Sequence, residues 1–237
     1  MAKRPPRWLG QGLSYAEIDD LPGRMIVLEG TDGVGRSAQI EMLSAWIESQ
    51  GFGVVSTGWT RSRLMGPTIE RAKSGHTLDA RTFSLLYAAD FADRLELQIL
   101  PALRAGFVVV ADRYVYTAFA RDAVRGADPR WVRELFGFAL EPDLVIYLDV
   151  DIDVLMPRIL NGKGCTYWES GMDLKLADNI YDSCVAYQTQ ILEEFGKMSK
   201  EYGFDVVNAS GPRENTQRAI RRRVQKVLDE IAAARGA

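Results

Sequence analysis

Residues Val27–Gln39 read VLEGTDGVGRSAQ. A short apolar strand enters the stretch, a glycine-rich turn follows, and a helix leaves it. The spacing fits the phosphate-binding loop G-x-x-x-x-G-K-[ST] from Gly30 to Ser37 at every fixed place but one, because Arg36 stands where the pattern has lysine. Gly30, Gly33 and Gly35 allow backbone conformations that other residues resist, and they let amides approach an anion closely. The backbone N–H groups of Gly30, Thr31, Asp32, Gly33, Val34, Gly35, Arg36, Ser37 and Ala38, with a helix N-terminus behind them, would cradle the phosphates of a nucleotide. Ser37 would place its hydroxyl on Mg²⁺. The alternative is a chance glycine-rich turn, against which the strand–loop–helix context argues.

Outward from the loop, strands and helices alternate. Strands are expected at 24–29, 53–57, 107–112, 143–150 and 204–209. Helices are expected at 36–50, 66–74, 79–104, 152–160, 173–202 and 213–234, with a loop at 161–170. The run FVVVAD (107–112) is continuous, apolar and β-branched, as in a strand covered on both faces. Five such strands separated by helices imply an α/β fold, a five-stranded parallel sheet with helices on both faces. Ligands of such sheets bind beyond the carboxyl ends of the strands. That places the chemistry near 30–37, 58–63, 112–121 and 150–151. Residues 1–23, rich in Pro, Gly and charge, read as an N-terminal extension before a domain of 24–237.

The composition sets bounds on partners. The 237 residues carry a net charge of −3 from 29 basic and 32 acidic side chains, with 47% hydrophobic residues. A broad nucleic-acid surface needs concentrated positive charge, so no nucleic-acid partner is expected. The basic run RAIRRRVQK (218–226) reads as a solvated helix face. No run approaches the about 18 apolar residues of a membrane span, and no apolar signal core follows the basic N-terminus, so neither membrane nor secretion is expected. Cys165 and Cys184 form no C-x-x-C, and His76 is the one histidine. A reducing cytoplasm fits best, and a histidine-rich metal site cannot be built.

LEGTDGVGRSAQ (28–39) closely resembles the EGxDGxGKSTQ loop of thymidylate kinases. LLYAAD (85–90), ADRYVYTAFA (111–120), VIYLDVD (145–151) and YWESGMD (167–173) follow in that family's order. Residues 24–234 are covered, and the chain is identified as a divergent member with arginine in place of the Walker A lysine. The resemblance implies a P-loop NTPase three-layer sandwich with a short lid at about 161–170. It implies transfer of the γ-phosphoryl group of ATP to dTMP, with Mg²⁺, by a homodimer. Two alternatives stay open: a kinase for another nucleoside monophosphate, or a nucleotide-binding protein with little catalysis.

The family's roles carry over residue by residue. Arg36 would take the lysine's place against the β- and γ-phosphates, being permanently charged and able to bind phosphate bidentately. Asp32 would contact the deoxyribose 3′-hydroxyl near Mg²⁺, or merely cap the turn. Asp112 and Arg113 would serve the metal and the acceptor phosphate, with Asp112 joining Ser37 as a metal ligand. Thr117 would hold the polar network of the acceptor pocket. Tyr87 falls where the family stacks a Phe on thymine, or is simple helix core. The family's base-reading arginine is replaced by Phe91, with Arg94 one turn on, and Arg121 replaces a Tyr beside the sugar. Arg61 or Arg63 would reach the acceptor phosphate, or each is a solubilising surface charge. Arg158 and Lys163 are the basic candidates of the lid, and Asp151 is a candidate to orient metal-bound water. NASGP (208–212) would touch adenine, or is an ordinary turn.

Overall fold

The computed structural model describes residues 7–75 and 79–235; His76 lies outside the described residues. Five strands form one sheet: β1 (Arg24–Glu29), β2 (Val54–Gly58), β3 (Val108–Asp112), β4 (Leu144–Asp149) and β5 (Asp205–Asn208). All pair in parallel, in the order β2-β3-β1-β4-β5. Side chains alternate across the pleat, so each strand feeds two cores. Met25, Val27, Val109, Ala111 and Tyr147 face one apolar cluster, and Ile26, Leu28, Val108, Val110, Ile146 and Leu148 face the other.

Helices α1 (Arg36–Ser49), α7 (Ile152–Asn161) and α9 (Arg213–Arg235) cover the second cluster through Leu43, Ile47, Leu155, Ile220 and Val224. The first is covered by α3 (Ala80–Arg94), α4 (Leu100–Arg104), α5 (Val115–Val124), α6 (Pro129–Leu135) and α8 (Ile180–Tyr202), with Phe91, Leu103, Phe119, Val132 and Phe195 packed inward. A short α2 (Gly66–Gly75) follows β2. The expected three layers are present.

Three local departures have physical causes. The helix expected over 79–104 contains a π-helical turn at Leu95–Ile99, immediately before α4 and its Pro101. Proline lacks the N–H of a regular helical bond, and a widened turn accommodates it. The long helix expected from 173 begins at Ile180. A 3₁₀ turn at Met172–Leu174 ends in left-handed Lys175 (φ 53°), and Asn179 then caps the helix by accepting from the Asp182 N–H at 2.9 Å. Helices α5 and α6 were not anticipated. Residues 115–120 of α5 are all buried, a short apolar run whose type periodicity alone does not settle.

Residues 7–23 lie along the domain. The Leu9 and Gly10 N–H groups bond the carbonyls of Ala139 and Gly137 at 2.8 and 2.9 Å, and Ile18 and Leu21 enter the first cluster. No helix among the described residues is long and apolar enough to cross a membrane.

Candidate active site

The register brings the carboxyl ends of β1, β2 and β3 level, with Leu28 and Gly58 both opposite Asp112. The chain leaves β1 at this edge and turns back into α1. Gly33 (φ 78°) and Gly35 (φ 94°) sit in the left-handed region that glycine tolerates. A Cβ on Gly33 would meet Ile159 Cγ1 at 2.6 Å, so the loop is also pressed against α7 there. The Thr31 hydroxyl is buried in this loop without a hydrogen-bond partner among the described residues.

Arg36, the first residue of α1, is buried and folds back over the loop. Its Nη1 donates to the carbonyls of Gly30 and Thr31 at 2.7 and 2.8 Å, and its Nε donates to Asp112 at 2.6 Å. Nη2 carries no bond to another described residue. The planar fork therefore fixes two nitrogens and leaves the third for a ligand. Asp112 also meets the Ser37 hydroxyl at 3.3 Å and Arg61 at 3.8 Å.

Asp32 lies between Arg113, in direct contact, and Arg121, whose Nη2 donates to it at 2.8 Å. Burial alone would raise the Asp32 carboxyl, but Arg113, Arg121 and Arg36 together outweigh it and hold the group well below its ordinary range. Arg113 is lowered to about 10 by burial and by Arg36. Beneath them Glu29, fully buried at the end of β1, accepts from the Tyr114 N–H and from the Thr117 hydroxyl, each at 2.7 Å. Burial raises the Glu29 carboxyl, while Thr117 and Arg113 oppose the rise. These bonds hold the turn after β3, where Arg113 takes a left-handed φ of 70°.

Two cavities share Trp59, Lys73, Tyr87, Arg121 and Glu169, and so form one trough. The smaller, about 160 Å³, is lined by Asp32, Arg36, Arg61, Asp112 and Arg113. The larger, about 410 Å³, is lined by Phe83, Thr117, Asp122, Tyr167 and Trp168 among others. Phe83 and Trp168 meet edge to face with centroids 4.7 Å apart. The segment 161–170 lies over the larger cavity. Trp168 Nε1 donates to the Lys73 carbonyl at 2.8 Å, and Arg125 Nη2 donates to the Trp168 carbonyl at 2.9 Å. Arg125 is itself held by Asp173 at 2.9 Å and by the Tyr187 hydroxyl at 2.6 Å.

Most of the residues singled out in the sequence meet along this trough. Tyr87, Thr117 and Arg121 line the larger cavity, and Asp32, Arg36, Arg61, Asp112 and Arg113 the smaller; Ser37 lines a groove beside Asp112. Lys163 also reaches the larger cavity. Two expectations are corrected. Phe91 is fully buried against Tyr114, Phe136 and Phe138, because the inward face of α3 is core at that turn. Arg94 is turned away from the trough by its ion pair to Asp90 at 2.9 Å and its bond to Thr57 at 3.2 Å. Asp90 in turn accepts from the Thr60 and Ser62 N–H groups at 3.2 and 3.0 Å and so fixes the loop that carries Arg61. Arg158 donates to the carbonyls of Ala209 and Ser210 at 2.8 and 3.1 Å, and Asp151 meets the Ser210 hydroxyl at 3.1 Å, so both belong to the 208–212 turn. Glu29, Phe83, Asp122, Arg125 and Trp168 were missed as site residues, although Trp168 stood inside the quoted YWESGMD.

Phosphate and Mg²⁺ both find suitable donors here. The unpartnered Thr31 hydroxyl, the left-handed glycines and Nη2 of Arg36 suit an anion. Mg²⁺ commonly takes one or two carboxylates and completes its shell with phosphate and water. The Asp112 carboxylate and Ser37 hydroxyl, adjacent hard oxygen donors, fit that pattern.

A glycine loop between a buried parallel strand and a helix N-terminus places the chain among the P-loop nucleotide-binding proteins. Its trough has a cationic end beside the loop and an aromatic end beyond, room for a second ligand. The model of the thymidylate kinase family matches residues 28–220, and the chain belongs to that family. It is 38% identical to the probable thymidylate kinase 2 of Saccharolobus solfataricus, over 87% of this chain and 98% of the relative. It is 31% identical to the probable thymidylate kinase of Thermococcus gammatolerans, over 84% and 94%, and 28% identical to the thymidylate kinase of Nostoc punctiforme, over 87% and 95%.

Proposed function

We propose that the chain is an ATP-dependent thymidylate kinase that transfers the γ-phosphoryl group of ATP to dTMP, giving dTDP and ADP. One observation carries the reading: two adjoining cavities, one beside the phosphate loop and one lined by aromatic rings. An oxygen of the acceptor phosphate attacks the γ-phosphorus, and the bond to the β–γ bridging oxygen breaks as ADP leaves. The chain forms no covalent bond and works by position and charge. Arg36 presents Nη2 to the donor phosphates while its other nitrogens brace the loop. Arg61, Arg113 and Arg121 surround the acceptor phosphate, with Asp32 orienting the latter two and facing the sugar hydroxyl. Tyr87 and Thr117 line the nucleoside end, and the segment 161–170 excludes water. Ser37 and Asp112 would hold Mg²⁺, which would supply neutralisation of phosphate charge. Residues 24–237 form the catalytic domain of a cytoplasmic homodimer.

A second reading, nucleotide binding with little transfer, draws on the Arg36–Asp112 pair, which ties two of the expected phosphate-site groups to each other. Coupled ADP release with ATP, Mg²⁺ and each nucleoside monophosphate separates the readings. Preferred turnover of dTMP is expected. Turnover with another monophosphate alone sinks the dTMP assignment, and binding without turnover supports the second reading.

A further inference from the structure

The larger cavity contains an acid that phosphoryl transfer does not use. Asp122 on α5 lines this cavity, while Arg36, Arg61 and Arg113 line the smaller one. The phosphate loop and Arg36 lie at the smaller cavity, and the aromatic rings of Phe83 and Trp168, which suit a base, lie with Asp122 at the larger.

Asp122 Oδ2 lies 2.7 Å from the Ser84 hydroxyl, which also lies 3.0 Å from the Ala80 carbonyl. A serine hydroxyl has one hydrogen to give. The shorter of the two contacts places that hydrogen on Asp122 Oδ2, with Ser84 donating. Burial pushes that carboxyl up to about 6, against the opposing pull of Ser84, Arg125 and Arg121. The two neighbouring arginines are engaged elsewhere, Arg121 with Asp32 and Arg125 with Asp173 and Tyr187. Oδ1 has no hydrogen-bond partner among the described residues. Ser84 therefore fixes the carboxyl plane through one oxygen and leaves the other as an acceptor at the cavity.

We propose that Asp122 is the base-reading residue of the acceptor site, its Oδ1 accepting the imide N–H of thymine. The inference rests on the kinase reading above and names the residue that sets its base specificity. Cytosine presents a bare ring nitrogen at the same place, so acceptor would meet acceptor, and a site built for one hydrogen-bond pattern rejects its mismatch. Phe91, buried in the core, leaves the family's base-reading arginine without a counterpart in the cavity at that position.

Trp59 and Trp168 line the trough, so quenching of tryptophan fluorescence in the full chain reports binding directly. Titrations with dTMP and dCMP should show dTMP bound at least about tenfold more tightly. Asp122→Ala should bring the two affinities within about threefold of each other, mainly by weakening dTMP. Asp122→Asn keeps an acceptor and adds a donor for the cytosine ring nitrogen, so it should narrow the ratio by strengthening dCMP. It also carries the test if the alanine variant does not fold. Arg61→Ala, at the phosphate end, should weaken both nucleotides and leave the ratio unchanged. A wild-type chain without preference, or a ratio untouched in both Asp122 variants, overturns the proposal. ADP release is read separately. Selective dTMP binding without transfer defeats the kinase reading and leaves Asp122 standing, whereas transfer to dTMP with an Asp122-independent ratio defeats only Asp122.

Discussion

Arg36→Ala removes three contacts whose losses differ. The Nε bond to Asp112 goes, as do the Nη1 bonds to the carbonyls of Gly30 and Thr31. The Gly30 carbonyl keeps Arg113 Nη1 at 3.2 Å, and Asp112 keeps the Ser37 hydroxyl at 3.3 Å and Arg61 at 3.8 Å. The Thr31 carbonyl loses its side-chain partner. One charge-assisted bond at about 1.5–3 kcal/mol and one stranded carbonyl at about 1–3 kcal/mol together give about 3–5 kcal/mol. In a chain of this size each kcal/mol moves Tm by about 2–4 °C, so a fall of about 6–20 °C is expected. The variant still folds, because natural domains hold about 5–15 kcal/mol. Transfer suffers more, since losing one pre-organised donor to transition-state charge lowers kcat about 100- to 1,000-fold. Thermal unfolding followed by circular dichroism checks the first figure, and coupled ADP release the second. An unchanged Tm would refute the inward clamp, and an unchanged kcat would refute the phosphate role. Arg36→Lys should recover part of both losses, since an ammonium keeps the charge but lacks the fork that spans Asp112 and the loop carbonyls.

Two further outcomes follow from the loop and the acid beside it. Asp32 has a depressed carboxyl in the folded chain, so its stabilisation is present above the unfolded value of about 3.9 and is lost as pH falls through the folded value. Urea midpoints of Asp32→Asn should therefore lie below wild type at pH 7 and approach it at strongly acid pH; an equal gap at both would show that the pairing with Arg113 and Arg121 contributes nothing. Gly33→Ala places a methyl 2.6 Å from Ile159 Cγ1 at a φ of 78°, and it should weaken ATP binding about tenfold or more, by titration calorimetry, as strain displaces the amides. Wild-type affinity in that variant would mean the loop does not cradle phosphate.

The sheet was legible because its strands are short, continuous and apolar, a pattern that burial on both faces imposes. The glycine loop was legible because its requirement is local backbone freedom. What stayed hidden depends on contacts distant in sequence. Phe91 and Arg94 sit on α3 within a turn of each other, and periodicity alone does not tell which face meets the core and which the trough. Asp90 decided the matter for Arg94, through backbone N–H groups about thirty residues away on the loop after β2. Arg125 stands in no motif of the sequence. Its role appears only when Asp173, Tyr187 and the Trp168 carbonyl converge on it.

The Asp90 clamp has a further consequence. Helix α3 carries Phe83, Ser84 and Tyr87 at the nucleoside end, and one and a half turns later it grips the loop that bears Arg61. A single rigid rod thus links the larger cavity to the loop at the smaller one, and it works as a gauge of length. From Ser84 to Asp90 the rise is about 9 Å, fixed by backbone geometry and insensitive to which base is bound. Without the Asp90 bonds to the Thr60 and Ser62 N–H groups, that spacing would depend on the loop alone.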